Sequence, residues 1–250
     1  MIAGALPHAE RHEQMAKAVK LFPMMKKRAL DGFSDRRLSI VCYGPSLNDT
    51  WLDIRGPMMT VSGAHDYLSM RGCIPQWHVE CDPREHKAIM LKRPSRATKY
   101  LMASCCHPKF WETLKGHDVR LWHLINGNDL ETPLWVKENH LEGIDCMIGG
   151  GSTVGMRALE IAAAIGFRRF NIYGMDCSFT DRHHAGDHTG KRQAEITVTV
   201  GGKRFTTSPQ MLQASQEMAE FILTMDAEVT MHGEGLMQET ARLINERKAA

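Results

Sequence analysis

The chain has 250 residues, 43% of them hydrophobic and 24% charged, with a formal net charge of +2. That length can bury the core of a single domain, and the composition excludes a disordered or low-complexity chain. Lysine and arginine are spread along the sequence rather than clustered, which argues against a nucleic-acid partner, and no run of about 18 apolar residues offers a membrane span.

The first element is a helical lead-in over Ala9 to Leu30, with Met15, Val19, Phe22, Met25 and Leu30 at helical spacing and a bend expected at Pro23. Residues 1–37 are read as this lead-in and 38–250 as one domain. The N-terminus has no basic stretch followed by an apolar core. With seven scattered cysteines and no C-x-x-C pair, this gives the expectation of a reducing, cytoplasmic setting.

Short apolar runs then alternate with helical ones. Strands are predicted at 38–43, 57–61, 76–81, 100–103, 119–124, 145–148, 169–173 and 227–231. Helices are predicted at 64–70, 84–91, 108–114, 152–165, from Pro209 to about Met225, and from Glu234 onward. Gly166 is the expected C-cap of the 152–165 helix. The alternation is that of parallel βαβ units, so the fold class is α/β: a Rossmann-like, mostly parallel sheet flanked by helices. One piece is antiparallel. Gly201-Gly202 between Ile196–Val200 and Lys203–Thr207 signals a small hairpin insertion near 196–207, and Ser208-Pro209 opens the helix after it.

In an open parallel sheet, ligands lie beyond the carboxyl ends of the strands. Three segments there have unusual residues. Gly44, Pro45 and Ser46 end the first strand, where glycine lets backbone amides approach an anion; an ordinary turn accounts for them equally well. Gly149–Gly155 opens a helix, so Gly150, Gly151, Ser152 and Thr153 stand where free amides and the helix dipole attract phosphate. The loop is neither a P-loop, since no Gly-Lys-Ser/Thr follows, nor G-x-G-x-x-G, since Val154 fills the third glycine position. Asp82 and Asp176 each follow a strand, suited to Mg²⁺ beside phosphate oxygens, to a ribose hydroxyl, or to a turn. The loop 177–194 carries Asp181, His183, His184, Asp187 and His188, with Lys191 and Arg192 as phosphate partners. It could supply a general acid or base or lie in solvent, and its spacing does not complete a zinc set.

Taken in order, Gly44–Leu47, Cys81–Pro83, Gly150–Gly155 running into Ala158–Ala162, Gly166-Phe167, Ile172–Phe179, His184-Ala185 and Phe205–Ser208 resemble the 6-hydroxymethylpterin pyrophosphokinase-like (MptE-like) family. That family includes bacterial flagellin motility accessory factors, and its core is similar to sialyltransferase-like domains that bind CMP-sugars. The resemblance runs from about Leu38 to Phe221. It implies a nucleotide lined by Gly44, Pro45 and Ser46, with Asp82 and Asp176 beside it, Gly150–Thr153 as the other wall and His184 as the loop histidine; in the activity expected first, Asp176 and His184 are catalytic and Asp82 and Asp176 hold Mg²⁺.

The activity expected first is Mg²⁺-dependent pyrophosphoryl transfer from ATP to a small hydroxymethyl heterocycle. The alternatives are glycosyl transfer from a CMP- or other nucleotide-activated sugar, and a non-catalytic nucleotide-binding module. The partners expected are a nucleotide and a small-molecule acceptor, with a homo-oligomer compatible. Each activity requires the turns at Gly44 and Gly150 to meet at one rim of the sheet.

Overall fold

The structure is a computed structural model, and it describes residues 6–26, 33–127, 129–182, 184–186 and 194–249. Eight strands form one parallel sheet: β1 (Arg37–Val41), β2 (Met58–Val61), β3 (Trp77–Glu80), β4 (Lys99–Ala103), β5 (Asp118–Leu124), β6 (Met147–Ile148), β7 (Arg169–Tyr173) and β10 (Glu228–Met231). Their order is β10-β7-β1-β2-β3-β4-β5-β6. The chain thus runs outward from β1 to β6, then returns to pair β7 on the other side of β1, with Leu38 beside Phe170 and Ile40 beside both Met59 and Ile172. The order reverses between β1 and β7, and the crevice left there is where such sheets bind ligands.

β1 is buried on both faces: Leu38 and Ile40 point to one, Ser39 and Val41 to the other, and all four are buried. This is the pattern of a central parallel strand covered by helices on each side. The largest cover is α6 (Val154–Ile165), which packs against β1, β2 and β3. Its left-handed C-cap at Gly166 (φ 112°) lets Phe167 turn back into the core. α7 (Pro209–Thr224) and α8 (Leu236–Ala249) pack on each other, with α8 also against β10. Between β7 and α7, β8 (Ile196–Val200) and β9 (Lys203–Thr207) form the expected hairpin. Gly201 and Gly202 have φ of 59° and 79°, both positive as a type I′ turn requires.

Five elements differ from the sequence reading. The strand expected at 145–148 is only Met147–Ile148, because Asp145 and Cys146 end a 3-10 helix, Leu141–Cys146. The lead-in helix, α1 (His8–Leu21), stops before Pro23, which cannot donate to its last turn, and Leu30 lies outside the described residues. Met15 and Ala18 of α1 are buried in the main core. The helical stretch after Asp82-Pro83 is a 3-10 helix, Glu85–Met90. The turn after Pro45 continues into α2 (Leu47–Thr50), a single helical turn. Finally, α5 (Glu131–Asn139) was not expected: it buries only Thr132 and Val136, so its sequence carries almost no apolar periodicity. The two remaining helices, α3 (Ala64–Ser69) and α4 (Pro108–Thr113), lie within their expected spans.

All seven cysteines are unbridged. Among the described residues no helix is long and apolar enough to cross a membrane.

Candidate functional site

A cavity of about 240 Å³ opens at the carboxyl ends of β1, β2, β3 and β7, where the strand order reverses. Two strand ends form its floor. Beyond β1, the Gly44 amide donates to the Gly174 carbonyl at 2.8 Å, extending the pairing with β7 past the last strand residue. A Cβ at position 44 would lie 2.5 Å from that oxygen and 2.6 Å from Asp176 Oδ2, so only glycine fits. Asp176 holds the turn from the β7 side. It accepts from the Ser46 amide (2.9 Å), the Ser46 hydroxyl and Gln238 Nε2 (3.2 Å). Burial raises its carboxyl above the ordinary value, and the Ser46 and Gln238 hydrogen bonds oppose that rise.

The glycine loop ahead of α6 is a partition. Gly150 and Gly151 take φ of 68° and 74°, and Thr153 caps α6 by accepting from the Met156 amide at 3.4 Å. Thr153, Val154 and Gly155 line the 240 Å³ cavity, whereas Gly150, Gly151 and Ser152 line a neighbouring one of about 220 Å³. The Ser152 amide is already engaged by the Glu217 carboxylate at 2.6 Å. A second helix starts at the first cavity: Ser208 caps α7, and Gln210 and Met211 of its first turn join the lining. Two helix N-termini, each the positive end of a dipole, therefore meet at one space.

Charged side chains complete it. Arg84 and Lys87, on the 3-10 segment after β3, stand at its wall with Asp82. Asp82 accepts from Arg84 Nε (2.8 Å), Arg84 Nη2 (2.6 Å) and the Arg84 amide (3.0 Å), which fixes the guanidinium at the rim. Glu80, the last residue of β3, is 3% exposed and lines the same cavity. Burial, and then the nearby Asp82 charge, push its carboxyl from 4.5 up to about 7, against the pull of Lys87 and the amides of Ser62 and Cys81. Ser62 (φ 51°) and Cys177 (φ 52°), two non-glycine residues held in the left-handed region, also line the cavity; such costly backbone persists only where the surroundings enforce it.

His184 reaches the cavity from the segment after β7, its ring stacked on Tyr43 at 5.2 Å, while the Ala185 amide donates to the Tyr43 carbonyl at 3.1 Å. The cavity thiols are poor nucleophiles: burial pushes Cys177 up to about 12 and raises Cys42 well above the thiol range. A proton acceptor that titrates near neutrality is present in Glu80.

The donor set does not fit a resident Mg²⁺. Both oxygens of Asp82 are bonded by Arg84 and both of Asp176 by Ser46 and Gln238, whereas the ion demands near-octahedral oxygen ligands open to the site. Among the described residues no group of three or more His, Cys, Asp or Glu is arranged to hold a metal.

Of the residues singled out from the sequence, Gly44, Pro45, Asp82, Thr153, Asp176 and His184 line one cavity. Ser46 stands behind it as the partner of Asp176. Gly150, Gly151 and Ser152 fall on the far side of the partition. His183, Asp187, His188, Lys191 and Arg192 lie outside the described residues. Glu80, Arg84, Lys87 and Gln210 were not anticipated. One signal was present: a glutamate within the apolar strand expected at 76–81 is an expensive choice if that strand is central.

Comparison with known proteins agrees with this architecture. No curated protein matches the chain. Among solved structures it is similar to the MAf glycosyltransferase from Magnetospirillum magneticum AMB-1, at 15% identity and a TM-score of 0.68. The superposition covers 97% of this chain but 42% of that protein, so the likeness is one of fold over part of a longer molecule. Residues 9–182 match the family described as 6-hydroxymethylpterin diphosphokinase MptE-like, more than half of the sequence. The chain belongs to the MptE-like family.

Proposed function

We propose that the protein is a nucleotide-dependent transferase that holds the phosphate of an activated donor in the 240 Å³ cavity, and that this donor is a nucleotide-activated sugar. The observation carrying the reading is the convergence of Arg84, Lys87 and the N-termini of α6 and α7 on one space at the strand-order reversal. Such a set stabilises negative charge that develops on a departing phosphate, with the dipoles already aimed. The choice of a sugar donor rests on the carboxylates. Asp82 and Asp176 are tied to protein donors, which suits a donor whose phosphate charge the basic groups can meet. The fold shared with a glycosyltransferase supports the same choice.

In this mechanism an acceptor hydroxyl oxygen attacks the anomeric carbon. The bond from that carbon to the phosphate oxygen breaks, and its electron pair stays on the phosphate. Glu80, ionised above about pH 7, takes the hydroxyl proton. Arg84, Lys87 and the amides of Val154 and Gly155 hold the phosphate, with His184 beside it as proton donor. Asp176 acts through Ser46 by keeping the Gly44 turn in place.

The family description favours a second reading, pyrophosphoryl transfer from ATP to a hydroxymethylpterin-like acceptor. In that reading Mg²⁺ arrives with the triphosphate as part of the substrate, and Arg84 moves from Asp82 to a phosphate. One experiment separates them: the protein is incubated with CMP-sugar, and separately with ATP and 6-hydroxymethylpterin, with and without Mg²⁺. Slow release of CMP from CMP-sugar, independent of Mg²⁺, is the expected result. Mg²⁺-dependent formation of AMP and pterin diphosphate would overturn the sugar reading in favour of the second. Nucleotide binding without turnover of either would make the protein a non-catalytic module.

A further inference from the structure

The 220 Å³ cavity behind the glycine loop lies outside the phosphate site proposed above, and it is built from polar groups whose directions are fixed. Arg157, on α6, is 4% exposed and lines it. Its guanidinium donates to the carbonyls of Ile125 (3.0 Å) and Ile148 (3.3 Å) and to Asn126 Oδ1 (2.7 Å). Because a guanidinium only donates, the last bond sets the Asn126 amide so that its oxygen faces Arg157 and its nitrogen is left to donate. On the α7 side, Glu217 accepts from the Ser152 amide (2.6 Å), the Ser152 hydroxyl (2.9 Å) and Gln213 (3.0 Å). A carboxylate has about four acceptor positions, so Glu217 keeps capacity for one more donor.

The cavity therefore offers an amide donor and a carboxylate acceptor, both oriented by buried or backbone partners. Its lining discriminates between ligand classes. Glu217 disfavours a second phosphate there. Among the described residues the lining includes no aromatic ring on which a nucleobase or a pterin could stack. A group bearing several hydroxyls, each both donor and acceptor, satisfies both walls.

We infer that this cavity receives the hydroxyl-bearing sugar ring of the donor whose phosphate lies across the partition, with Asn126 and Glu217 as its specificity-determining contacts. The inference rests on the phosphate assignment made above. The shared wall supports it: Gly150–Ser152 line one cavity and Thr153–Gly155 the other, so one ligand spanning the loop would touch both.

Gly127 provides a test at the cavity's mouth. It lines the cavity while itself exposed, its φ is not in the left-handed region, and a Cβ added there meets nothing within 4 Å. Gly127→Leu should therefore narrow the opening without straining the fold. Asn126→Asp is the second variant; it gives Arg157 a carboxylate partner while removing the amide donor. Calorimetric titrations would compare each free nucleotide with its sugar conjugate: CMP with CMP-sialic acid, UDP with UDP-glucose, and ADP with ADP-glucose.

For the pair that the unmodified protein binds, both variants should keep free-nucleotide affinity within about twofold and lose about tenfold or more toward the conjugate. Equal affinity for the conjugate in the variants and the unmodified protein would overturn the sugar cavity and leave the phosphate assignment standing. Absence of binding by every free nucleotide to the unmodified protein would overturn the phosphate assignment itself, and the inference with it.

Discussion

Glu80 is the base in the proposed mechanism, and its burial makes that role testable. Its carboxyl sits at about 7 in the folded protein against 4.5 when solvated, so between those values the folded state holds a proton that the unfolded chain has released. Stability associated with Glu80 is thus fully present below about pH 4.5, falls as pH rises through 7, and is flat above. The total amounts to roughly 3 kcal/mol. Glu80→Gln stays neutral throughout. The variant should melt higher than the parent above pH 7 and no higher at pH 4, while turnover falls by about 100-fold or more. Thermal melts and rates measured across pH read both effects; a parent rate that does not rise toward pH 7 would remove Glu80 as the base. Asp82 and Asp176 were legible from the sequence as carboxylates after strands. That each is engaged by three protein donors was not, because the Arg84 side chain folds back on Asp82 only in the tertiary setting, while Ser46 and Gln238 reach Asp176 across 130 and 62 positions.

α6 has two ends with different duties, and substitutions separate them. Thr153 caps its N-terminus and lines the 240 Å³ cavity; Gly166 closes its C-terminus in a left-handed conformation at the opposite end of the helix. Each change to alanine should cost about 1 kcal/mol in chemical denaturation, the first through a lost cap and the second through backbone strain. Only Thr153→Ala should also weaken nucleotide binding; equal binding losses in both variants would mean that the helix terminus is not the phosphate contact. Strong local chemistry made these elements readable. The caps at Ser208 and Gly166 and the glycine pair of the hairpin stand where the sequence put them. α5 was invisible by the same logic, since Pro133 and an almost wholly exposed surface leave no periodic signal.

At the scale of the whole molecule, the cavity is an electrostatic device assembled from distant parts of the chain. Arg84 and Lys87 come from the outgoing half, α7 from the returning half, and the partition from the crossover between them. A nucleotide that binds there should raise the melting temperature in proportion to the logarithm of its concentration above Kd, and the shift should shrink as salt rises to about 1 M. A shift insensitive to salt would indicate that the basic rim is not engaged. The sequence by itself determined the α/β alternation, the hairpin, the helix caps and the family, because each rests on local periodicity, backbone permissions or the order of short motifs. Only the tertiary structure decided that the glycine loop faces two ways, that Glu217 takes the Ser152 amide, and that a glutamate lies buried at the centre. Those facts depend on which strand ends the order reversal brings side by side, and on how much water each group loses there, and neither is written in the spacing of residues along the chain.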